Sequence, residues 1–303
     1  MVIRKITIED AEYPKNLRNI HTPPKQLYAN GTLVEQDETA VAIVGSRRAS
    51  HYGLETAERL GYELGLRGVT IVSGMARGID SASHRGALKA KGRTIAVMGS
   101  GHGVIYPPEN KKLYEEIAKS GAVVTEYDFD MEPLPGNFPA RNRIISGLSL
   151  GIVVVEAARN SGALITSNFA AEQGRTVFAV PGKVSSGTSS GANELIKDGA
   201  CLVQSVDDII EELNLVEMIS VEGLDKKAID DKITKKTKAY IYNSLTDDER
   251  KVYKLLSDEP VYIDDIFEKS GLEHAKATKV LLGLELKKLI KEMPGKQYVR
   301  KEN

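Results

Sequence analysis

Short apolar runs alternate with longer amphipathic stretches over the first two thirds of the chain. The runs predict strands at residues 41–44, 70–72, 94–98, 122–125, 152–155, 176–180 and 201–203. They are nearly continuous series of valine, isoleucine and alanine, which is typical of strands covered by helices on both faces. Because amphipathic helical patterns fill the gaps between them, the sequence predicts an α/β fold with a doubly wound parallel sheet.

The same patterns divide the chain into four parts. Residues 1–40 are predicted to be an irregular N-terminal extension, and residues 41–214 hold the predicted sheet. A mixed-charge stretch without apolar periodicity predicts a linker at residues 215–243. Residues 244–303 contain a capping box at Thr246 and Glu249, three helical patterns and a hairpin around Pro294 and Gly295. This last part is predicted to be a winged helix-turn-helix domain.

The composition excludes several classes of protein. Forty-one basic and 42 acidic side chains give a net charge of -1, so this is not a polycationic protein that coats nucleic acid. The longest apolar runs fall far short of the ~20 residues of a membrane-spanning helix. The N-terminus reaches Glu9 and Asp10 without an apolar secretory core, so we expect a cytoplasmic protein with no membrane partner. Cys201 is the single cysteine, so an intrachain disulfide is excluded.

Glycine-marked polar loops follow the predicted strands and carry basic, amide and hydroxyl side chains. Parallel sheets bind ligands beyond the carboxyl ends of their strands, and glycines there let backbone N–H groups approach an anion. The local surplus of positive charge is small, with 18 basic and 15 acidic residues between positions 41 and 203. We expect an anionic ligand, contacted by loop residues that include Gly45, Ser46, Arg47, Arg48, Arg77, Arg141, Asn142, Arg143, Thr166 and Lys183.

Phe138 stands three residues before Arg141 in one of these segments. An exposed aromatic ring beside guanidinium groups is how proteins hold unpaired bases together with their phosphates. The competing interpretation is that Phe138 belongs to the hydrophobic core. The sequence leaves these two roles open.

Signals of catalysis are weak. The five histidines lack the spacing of metal ligands, and neither a Gly-x-Ser-x-Gly elbow nor a phosphate-binding lysine loop occurs. No dinucleotide-binding motif follows Gly45, so no cofactor is predicted. Glu126 and Glu156 each end a strand, where they can form an acid/base pair or accept hydrogen bonds from loop N–H groups; we expect the second role. The sequence therefore predicts a binding protein and not an enzyme.

Several glycine- and arginine-containing motifs follow one another over residues 41–203. They include Gly45-Ser-Arg, Ser73-Gly-Met-Ala-Arg-Gly-Ile-Asp, Tyr106-Pro-Pro-Glu-Asn, Phe138-Pro-Ala-Arg-Asn-Arg-Ile-Ile-Ser-Gly, Ser161-Gly-Ala-Leu-Ile-Thr and Asn193-Glu-Leu-Ile-Lys-Asp-Gly-Ala. In this order they resemble the DNA-processing protein A (DprA/Smf) family. The resemblance implies an extended Rossmann-like sheet. It also implies a non-enzymatic homodimer in the cytoplasm, which binds single-stranded DNA and hands it to the RecA recombinase during natural transformation.

The family's DNA-binding pocket carries over to matching positions of this chain. These positions are Gly45, Ser46, Arg47, Phe138, Asn142 and Lys183, and we include Asn193 from the last shared motif. Two positions depart from the family pattern, since Pro135 stands where a basic residue is common and Gly103 where an aspartate is frequent. Many members also begin with a sterile-alpha-motif-like helical domain, for which the residues before the first predicted strand are too few.

Two alternatives remain open. A Rossmann-like pocket with phosphate donors also suits a phosphoribohydrolase-like enzyme that acts on nucleotides, although the Pro-Gly-Gly-x-Gly-Thr loop of such enzymes is replaced here by residues 156–166. The helix predicted at residues 274–288 could read duplex DNA in a major groove. However, residues 246–303 carry twelve basic and twelve acidic side chains, and this lack of net positive charge favours protein contact or a structural role over duplex binding.

Overall fold

The computed structural model describes residues 2–215, 245–257, 259–287 and 289–300. The chain divides into two compact units, Met1–Leu224 and Asp225–Asn303. The predicted linker at residues 215–243 lies outside the described residues, apart from Leu215.

The first unit is built on a nine-stranded sheet in the order β1-β2-β6-β5-β4-β3-β7-β8-β9. All strands from β3 to β9 pair in parallel, and they coincide with the predicted strands to within two residues. The strands of this sheet are β1 Ile3–Thr7, β2 Gln26–Gly31, β3 Ala40–Val44, β4 Thr70–Ser73, β5 Thr94–Val97, β6 Ala122–Thr125, β7 Gly151–Val154, β8 Thr176–Ala179 and β9 Cys201–Leu202.

The expectation of an irregular start before residue 41 is wrong. Strand β1 pairs antiparallel with β2, and β2 pairs antiparallel with β6, so this segment extends the sheet on one side. Tyr13 and Leu17, which lie between the two strands, are buried in the core below this edge. Strand β1 lies at the edge of the sheet, and β2 alternates buried and partly buried residues, so neither strand has the continuous valine and isoleucine runs of the central strands.

Helices cover both faces of the sheet, as the predicted doubly wound fold requires. Alternate residues of β3 point to opposite cores: Ala42 and Val44 belong to one hydrophobic cluster, and Val41 and Ile43 to the other. The α-helices are α1 Lys15–Arg18, α2 His51–Leu66, α3 Ile79–Lys89, α4 Lys111–Ser120, α5 Asn137–Gly147, α6 Gly162–Glu172, α7 Ser190–Lys197 and α8 Val206–Glu212. Short 3₁₀ turns occur at Glu35–Glu38, Pro108–Asn110 and Gly187–Ser189.

The second unit has the predicted winged helix-turn-helix arrangement. Its helices are α9 Asp247–Leu255, α10 Ile263–Ser270 and α11 His274–Leu286, and its strands are β10 Val261–Tyr262, β11 Ile290–Met293 and β12 Gln297–Arg300. The predicted capping box is confirmed, because the Glu249 N–H donates to the Thr246 hydroxyl and the Thr246 N–H donates to the Glu249 carboxylate. Gly271 ends α10 with a φ of 65°, which allows the sharp turn into α11.

Among the residues that the structure describes, helices of the length and hydropathy needed to span a bilayer are absent. The same residues hold no group of three or more histidine, cysteine or acidic side chains arranged to bind a metal ion.

Candidate nucleic-acid interface

A shallow cleft opens at the carboxyl edge of the sheet, beyond strands β3, β4 and β5. Its described lining includes three arginines and two aromatic rings and contains no acidic side chain. The lining residues are Arg47, Gly74, Ala76, Arg77, Gly99, Tyr106, Pro107, Phe138 and Arg141. The loops after three neighbouring strands thus converge with the start of α5 on one site. This combination of cations and rings is suited to a polyanion that carries unpaired bases.

Phe138 lies at the centre of the cleft and is half-buried. The guanidinium carbon of Arg47 is 5.2 Å from the centre of the Phe138 ring, within the range of a cation–π contact. The Tyr106 ring approaches from the side, with 5.6 Å between ring centres and a tilt of 49°. Of the two roles that the sequence left open for Phe138, its position in the cleft favours the ligand site over the hydrophobic core. Arg47 and Tyr106 lie against its ring.

Arg141 forms the floor of the cleft and is buried, with 3% of its surface exposed. Its guanidinium donates to the Gly74 carbonyl at 2.9 Å and to the Val97 carbonyl, so it joins the ends of β4 and β5. Burial lowers the pKa of Arg141 to about 10, which leaves the side chain a cation at neutral pH. Nε of Arg141 is buried without a hydrogen-bond partner.

Asp80 is the buried carboxylate beside Arg141. Its carboxylate accepts the Gly74 N–H at 3.1 Å and the Ala76 N–H at 3.4 Å. Burial raises the pKa of Asp80, and the charge of Arg141 opposes that rise. A Cβ added at Gly74 would lie 2.7 Å from both the Arg141 guanidinium and the Asp80 carboxylate, so only glycine fits between the two groups.

Arg77 lies on the rim of the cleft and is exposed. Its Nε donates to the carboxylate of Glu109, and both side chains are about half exposed, at 54% and 51%. The Glu109 carboxylate raises the pKa of Arg77, with a smaller contribution from Tyr106. An exposed pair of this kind is worth little in water, so Arg77 can exchange Glu109 for another anion at small cost.

Arg143 does not join the cleft, in contrast to the expectation from sequence. Its two terminal nitrogens donate to the two oxygens of Glu126, both at 2.7 Å, and Nε donates to the Thr22 carbonyl at 3.2 Å. The side chains of Arg143 and Glu126 are only 16% and 19% exposed. On an α-helix, two residues separated by one position point in different directions, which places Arg143 away from Arg141.

The other predicted residues lie around the cleft but do not line it. Ser46 uses its hydroxyl to accept the Arg48 N–H at 3.1 Å, and the Arg48 side chain is exposed. A Cβ on Gly45 would lie 2.6 Å from Ile79, so this glycine serves close packing. Asn142 donates to the Gly162 carbonyl at 3.3 Å, and the Asn193 side chain bonds both the N–H and the carbonyl of Gly182. Thr166 is buried and Lys183 is exposed.

The two strand-end glutamates hold structure together instead of facing the cleft. Glu156 is buried and accepts hydrogen bonds from the Ser50 N–H at 2.8 Å and the Ser50 hydroxyl at 2.6 Å, at the start of α2. This confirms the expected role of Glu156 as an acceptor for loop N–H groups. The same contact occupies donors at the α2 N-terminus, so the anion site expected there from the Gly45 loop is already filled by the protein's own carboxylate.

Sequence reasoning missed Tyr106 as a lining residue. Tyr106 begins one of the motifs that the chain shares with the family, but its ring is not among the predicted ligand contacts. The available signal was an aromatic residue in a glycine-rich loop after a predicted strand, the same signal that selected Phe138.

The chain thus combines an α/β sheet, which has arginines and aromatic rings in a cleft at its carboxyl edge, with a winged helix-turn-helix unit. The family model described as DNA recombination-mediator protein A matches residues 4–214, and the DprA winged helix domain model matches residues 238–296. The chain therefore belongs to the DNA-processing protein A (DprA/Smf) family.

Curated relatives and solved structures agree with this assignment. The chain is 35% identical over 318 residues to protein Smf of Synechocystis, covering 98% of this chain and 80% of the relative. It is 44% identical over 213 residues to DNA processing protein DprA of Bacillus subtilis, covering 70% and 71%. The X-ray structure of DprA from Streptococcus pneumoniae matches with a TM-score of 0.66 and 44% identity, covering 69% of this chain and 74% of that one.

A second solved structure is that of DNA processing protein A from Helicobacter pylori, described in terms of its single-stranded DNA binding mode. It matches with a TM-score of 0.62 and 32% identity, covering 70% of this chain and 96% of that chain. Both structures have the fold of the first unit described above.

Proposed function

We propose that this protein binds single-stranded DNA in the cleft at the carboxyl edge of its sheet. It protects incoming DNA and loads RecA recombinase onto it during natural transformation or DNA processing. In this proposal the protein works in the cytoplasm as a homodimer and is not an enzyme.

The observation that carries the proposal is the composition of the cleft. Arg47, Arg77 and Arg141 bring three positive charges to a space that also holds the rings of Tyr106 and Phe138. Cations along a groove attract the sugar-phosphate backbone, and aromatic faces stack with bases of any sequence. The single-stranded DNA binding reported for the Helicobacter pylori relative supports the same assignment.

The aromatic rings favour single strands over duplex DNA. Bases in a duplex are stacked on each other, and extruding one costs a few kcal/mol. An aromatic ring in the cleft is therefore accessible for stacking only to a strand whose bases are already free. Anisotropy titrations with a single-stranded oligomer and its matched duplex test this preference, and equal affinities would reject it.

Arg47 and Arg48 provide a matched pair of variants for the backbone contact. Both arginines are exposed in the same loop, but only Arg47 lines the cleft. Each phosphate neutralised on a single strand contributes about -0.7 to the slope of log affinity against log salt. Arg47→Ala should flatten this slope by about that amount, and Arg48→Ala should leave it unchanged. If Arg47→Ala leaves the salt slope as unchanged as Arg48→Ala does, Arg47 does not belong to the proposed interface.

The RecA and homodimer parts of the proposal rest on family membership. Sedimentation of the purified chain at micromolar concentration tests the homodimer, and a monomer at all concentrations contradicts it. RecA loading is tested by following RecA assembly on strands already covered by a single-stranded-DNA-binding protein. Assembly at the same rate with and without this chain would reject the loading function.

The contacts of the strand-end glutamates support a binding role over a nucleotide-cleaving one. Glu156 is bonded to Ser50 and Glu126 to Arg143, so neither carboxylate is placed as a base in the cleft. Incubation with a panel of nucleoside monophosphates should release no free base. Release that is lost on substitution of a cleft residue would favour the phosphoribohydrolase-like alternative.

A further inference from the structure

The loop after β6 carries a charge opposite to that of the cleft. Residues 127–137 hold three acidic side chains and no basic one. The acidic residues are Asp128, Asp130 and Glu132, and all three are exposed. We refer to residues 128–132 as the acidic loop. Among the described residues, neither Asp130 nor Glu132 has an ion-pair partner, so their negative charge faces solvent.

Other carboxylates near the cleft are paired with cations. Glu109 forms an ion pair with Arg77, and Glu126 forms one with Arg143. Their charges are therefore largely cancelled at short range. The acidic loop is different, because its negative charge acts on any charged group that comes within a Debye length of it.

The order of the strands places the acidic loop at one side of the cleft. That order is β6-β5-β4-β3, and neighbouring strands are about 4.8 Å apart. Arg77 follows β4 and Arg47 follows β3, so the acidic loop is about 10–15 Å from their loops along the sheet edge. The rings lie in between. Tyr106 is in the loop after β5, and Phe138 packs against Gly99 of the same loop, where an added Cβ would lie 2.9 Å from Cδ1 of the ring.

This order gives a bound nucleotide a direction. In the proposed function the arginines take a phosphate and the rings take the adjoining base, so the line from phosphate to base runs from β3 and β4 towards β6. In a base pair the same line continues through the partner base to the second backbone. The phosphates of a second strand would therefore come to the acidic loop, whereas a single strand has no backbone there.

Hydrogen bonds hold the acidic loop in this position. The Gly101 N–H donates to the Met131 carbonyl at 2.8 Å, and the Gly103 N–H donates to the Phe129 carbonyl at 2.8 Å. Both glycines belong to the loop after β5, whose Gly99 lines the cleft. The acidic loop is thus fixed to the wall of the cleft, and moving it away from a second strand would break these bonds.

We infer that Asp130 and Glu132 make the cleft selective for single strands by repelling the second backbone of a duplex. Specificity of this kind comes from an unfavourable contact with the wrong ligand. The inference rests on the proposed function, since it needs a nucleic acid in the cleft. A separate sign that the cleft receives a ligand is Arg141, which is 3% exposed and whose Nε has no hydrogen-bond partner among the described residues.

The central test neutralises both carboxylates in the full chain by combining Asp130→Asn with Glu132→Gln. This neutralised variant and the natural chain are titrated by anisotropy with a fluorescent oligothymidine and with its duplex. Two like charges about 6–8 Å apart in water weaken binding about two- to threefold, so the neutralised variant should bind the duplex about fivefold more tightly and the single strand within about twofold. Asp128 is left intact, because its carboxylate accepts the Tyr28 hydroxyl at 2.8 Å and holds the loop.

A matched control removes two negative charges elsewhere. Glu172 and Asp198 are exposed and lie just before β8 and β9 begin, at the opposite edge of the sheet. Combining Glu172→Gln with Asp198→Asn changes the net charge equally and should leave the duplex affinity within about twofold of the natural chain. An equal gain in this control would assign the effect to net charge and overturn the inference. Circular dichroism of both variants checks that the fold is intact.

A duplex whose complementary strand has neutral methylphosphonate linkages provides the matched ligand. It keeps the base pairs and removes the second row of charges. The natural chain should bind it more tightly than the ordinary duplex, and the neutralised variant should show no further gain. If the natural chain binds the two duplexes equally, the second backbone is not repelled and the inference is wrong.

Salt provides a further readout of the repulsion. The gain of the neutralised variant on the ordinary duplex should shrink as salt is raised from about 0.01 M to about 0.1 M, because the Debye length falls from about 30 Å to about 10 Å. A gain that does not depend on salt would contradict an electrostatic cause.

The outcomes separate this inference from the proposed function. If the natural chain binds neither oligothymidine nor the duplex, the proposed function fails. If it binds oligothymidine and the neutralised variant gains nothing on the duplex, only the inference fails, and this includes the case in which neither protein binds the duplex measurably. Equal gains on single strand and duplex would show that the acidic loop repels all nucleic acid, which also overturns its role in selectivity.

Discussion

Removing the ion pair of Arg143 and Glu126 tests whether Arg143 stabilises the fold or contacts DNA. The pair has two charge-assisted hydrogen bonds of 2.7 Å between side chains that are 16% and 19% exposed. Hydrogen bonds to charged groups are worth about 1.5–3 kcal/mol, and truncating one partner of a buried pair costs up to about 3–5 kcal/mol. The perturbations are Arg143→Ala, Glu126→Ala and the double variant.

Arg143→Ala should be the more destabilising of the two single variants. Its guanidinium also donates to the Ala140 carbonyl at 3.0 Å and the Thr22 carbonyl at 3.2 Å, and these acceptors lose their donor as well. We expect a loss of about 3 kcal/mol for Arg143→Ala and about 2 kcal/mol for Glu126→Ala. The coupling energy between them should be about 1.5 kcal/mol, within the range of residues in direct contact.

The assay is urea unfolding of the full chain. The free energy of unfolding of each variant is taken from the shift in the urea midpoint at a constant denaturant slope, and the coupling energy follows from the four values. Exposed Arg48→Ala serves as the control and should change the free energy of unfolding by less than about 0.5 kcal/mol. The same variants are then titrated with a single-stranded oligomer, where Arg143→Ala should leave the salt slope unchanged. A coupling below about 0.5 kcal/mol, or a slope flattened by about 0.7, would refute the structural assignment of Arg143.

Three further predictions follow from buried or paired groups. Burial lowers the pKa of His84 to about 3. Below about pH 6.5 the His84 imidazole is therefore protonated in the unfolded chain but stays neutral in the folded protein. Acidification to pH 4 should therefore cost about 3 kcal/mol of stability that His84→Gln does not lose, measured as the shift of Tm with pH. Gly99→Ala should push the Phe138 ring away and weaken binding of single-stranded DNA in anisotropy titrations, while circular dichroism remains that of the natural chain. Lys276 and Lys287 are paired with acidic residues of α9, which leaves α11 little positive charge to attract a duplex. Lys279→Ala should therefore change duplex affinity less than about twofold in a mobility-shift assay. A larger loss would indicate groove recognition by α11.

The sheet could be predicted from the sequence because its central strands are buried on both faces. Continuous apolar runs such as residues 41–44 have few other stable environments, and their order along the chain fixes the parallel part of the sheet. Strands β1 and β2 were missed for the same physical reason. Strand β1 lies at the edge of the sheet and pairs only with β2, and the antiparallel pairing of β2 with β6 depends on residues about ninety positions further along the chain.

The candidate site could be predicted less completely because its charges have distant partners. Arg143 pairs with Glu126 and Arg77 with Glu109, across 17 and 32 positions of sequence. Local pattern shows that an arginine follows a strand or begins a helix, but not which carboxylate reaches it. The sequence therefore predicted Arg47, Arg77, Phe138 and Arg141 as contacts of one site, and all four line the cleft, whereas Arg143, which was predicted beside them, does not.

The buried contacts of α5 explain why two arginines occur in a motif that also carries an aromatic residue. Arg141 binds the Gly74 and Val97 carbonyls, and Arg143 binds Glu126, so both side chains anchor α5 to the ends of strands. Phe138 lies one residue inside the start of this helix, and its position in the cleft depends on those ties. Since Arg141 is 3% exposed and Arg143 faces Glu126, the motif contributes to DNA binding mainly through the placement of Phe138. The exposed charges that remain for phosphate are those of Arg47 and Arg77, on two other loops of the same rim.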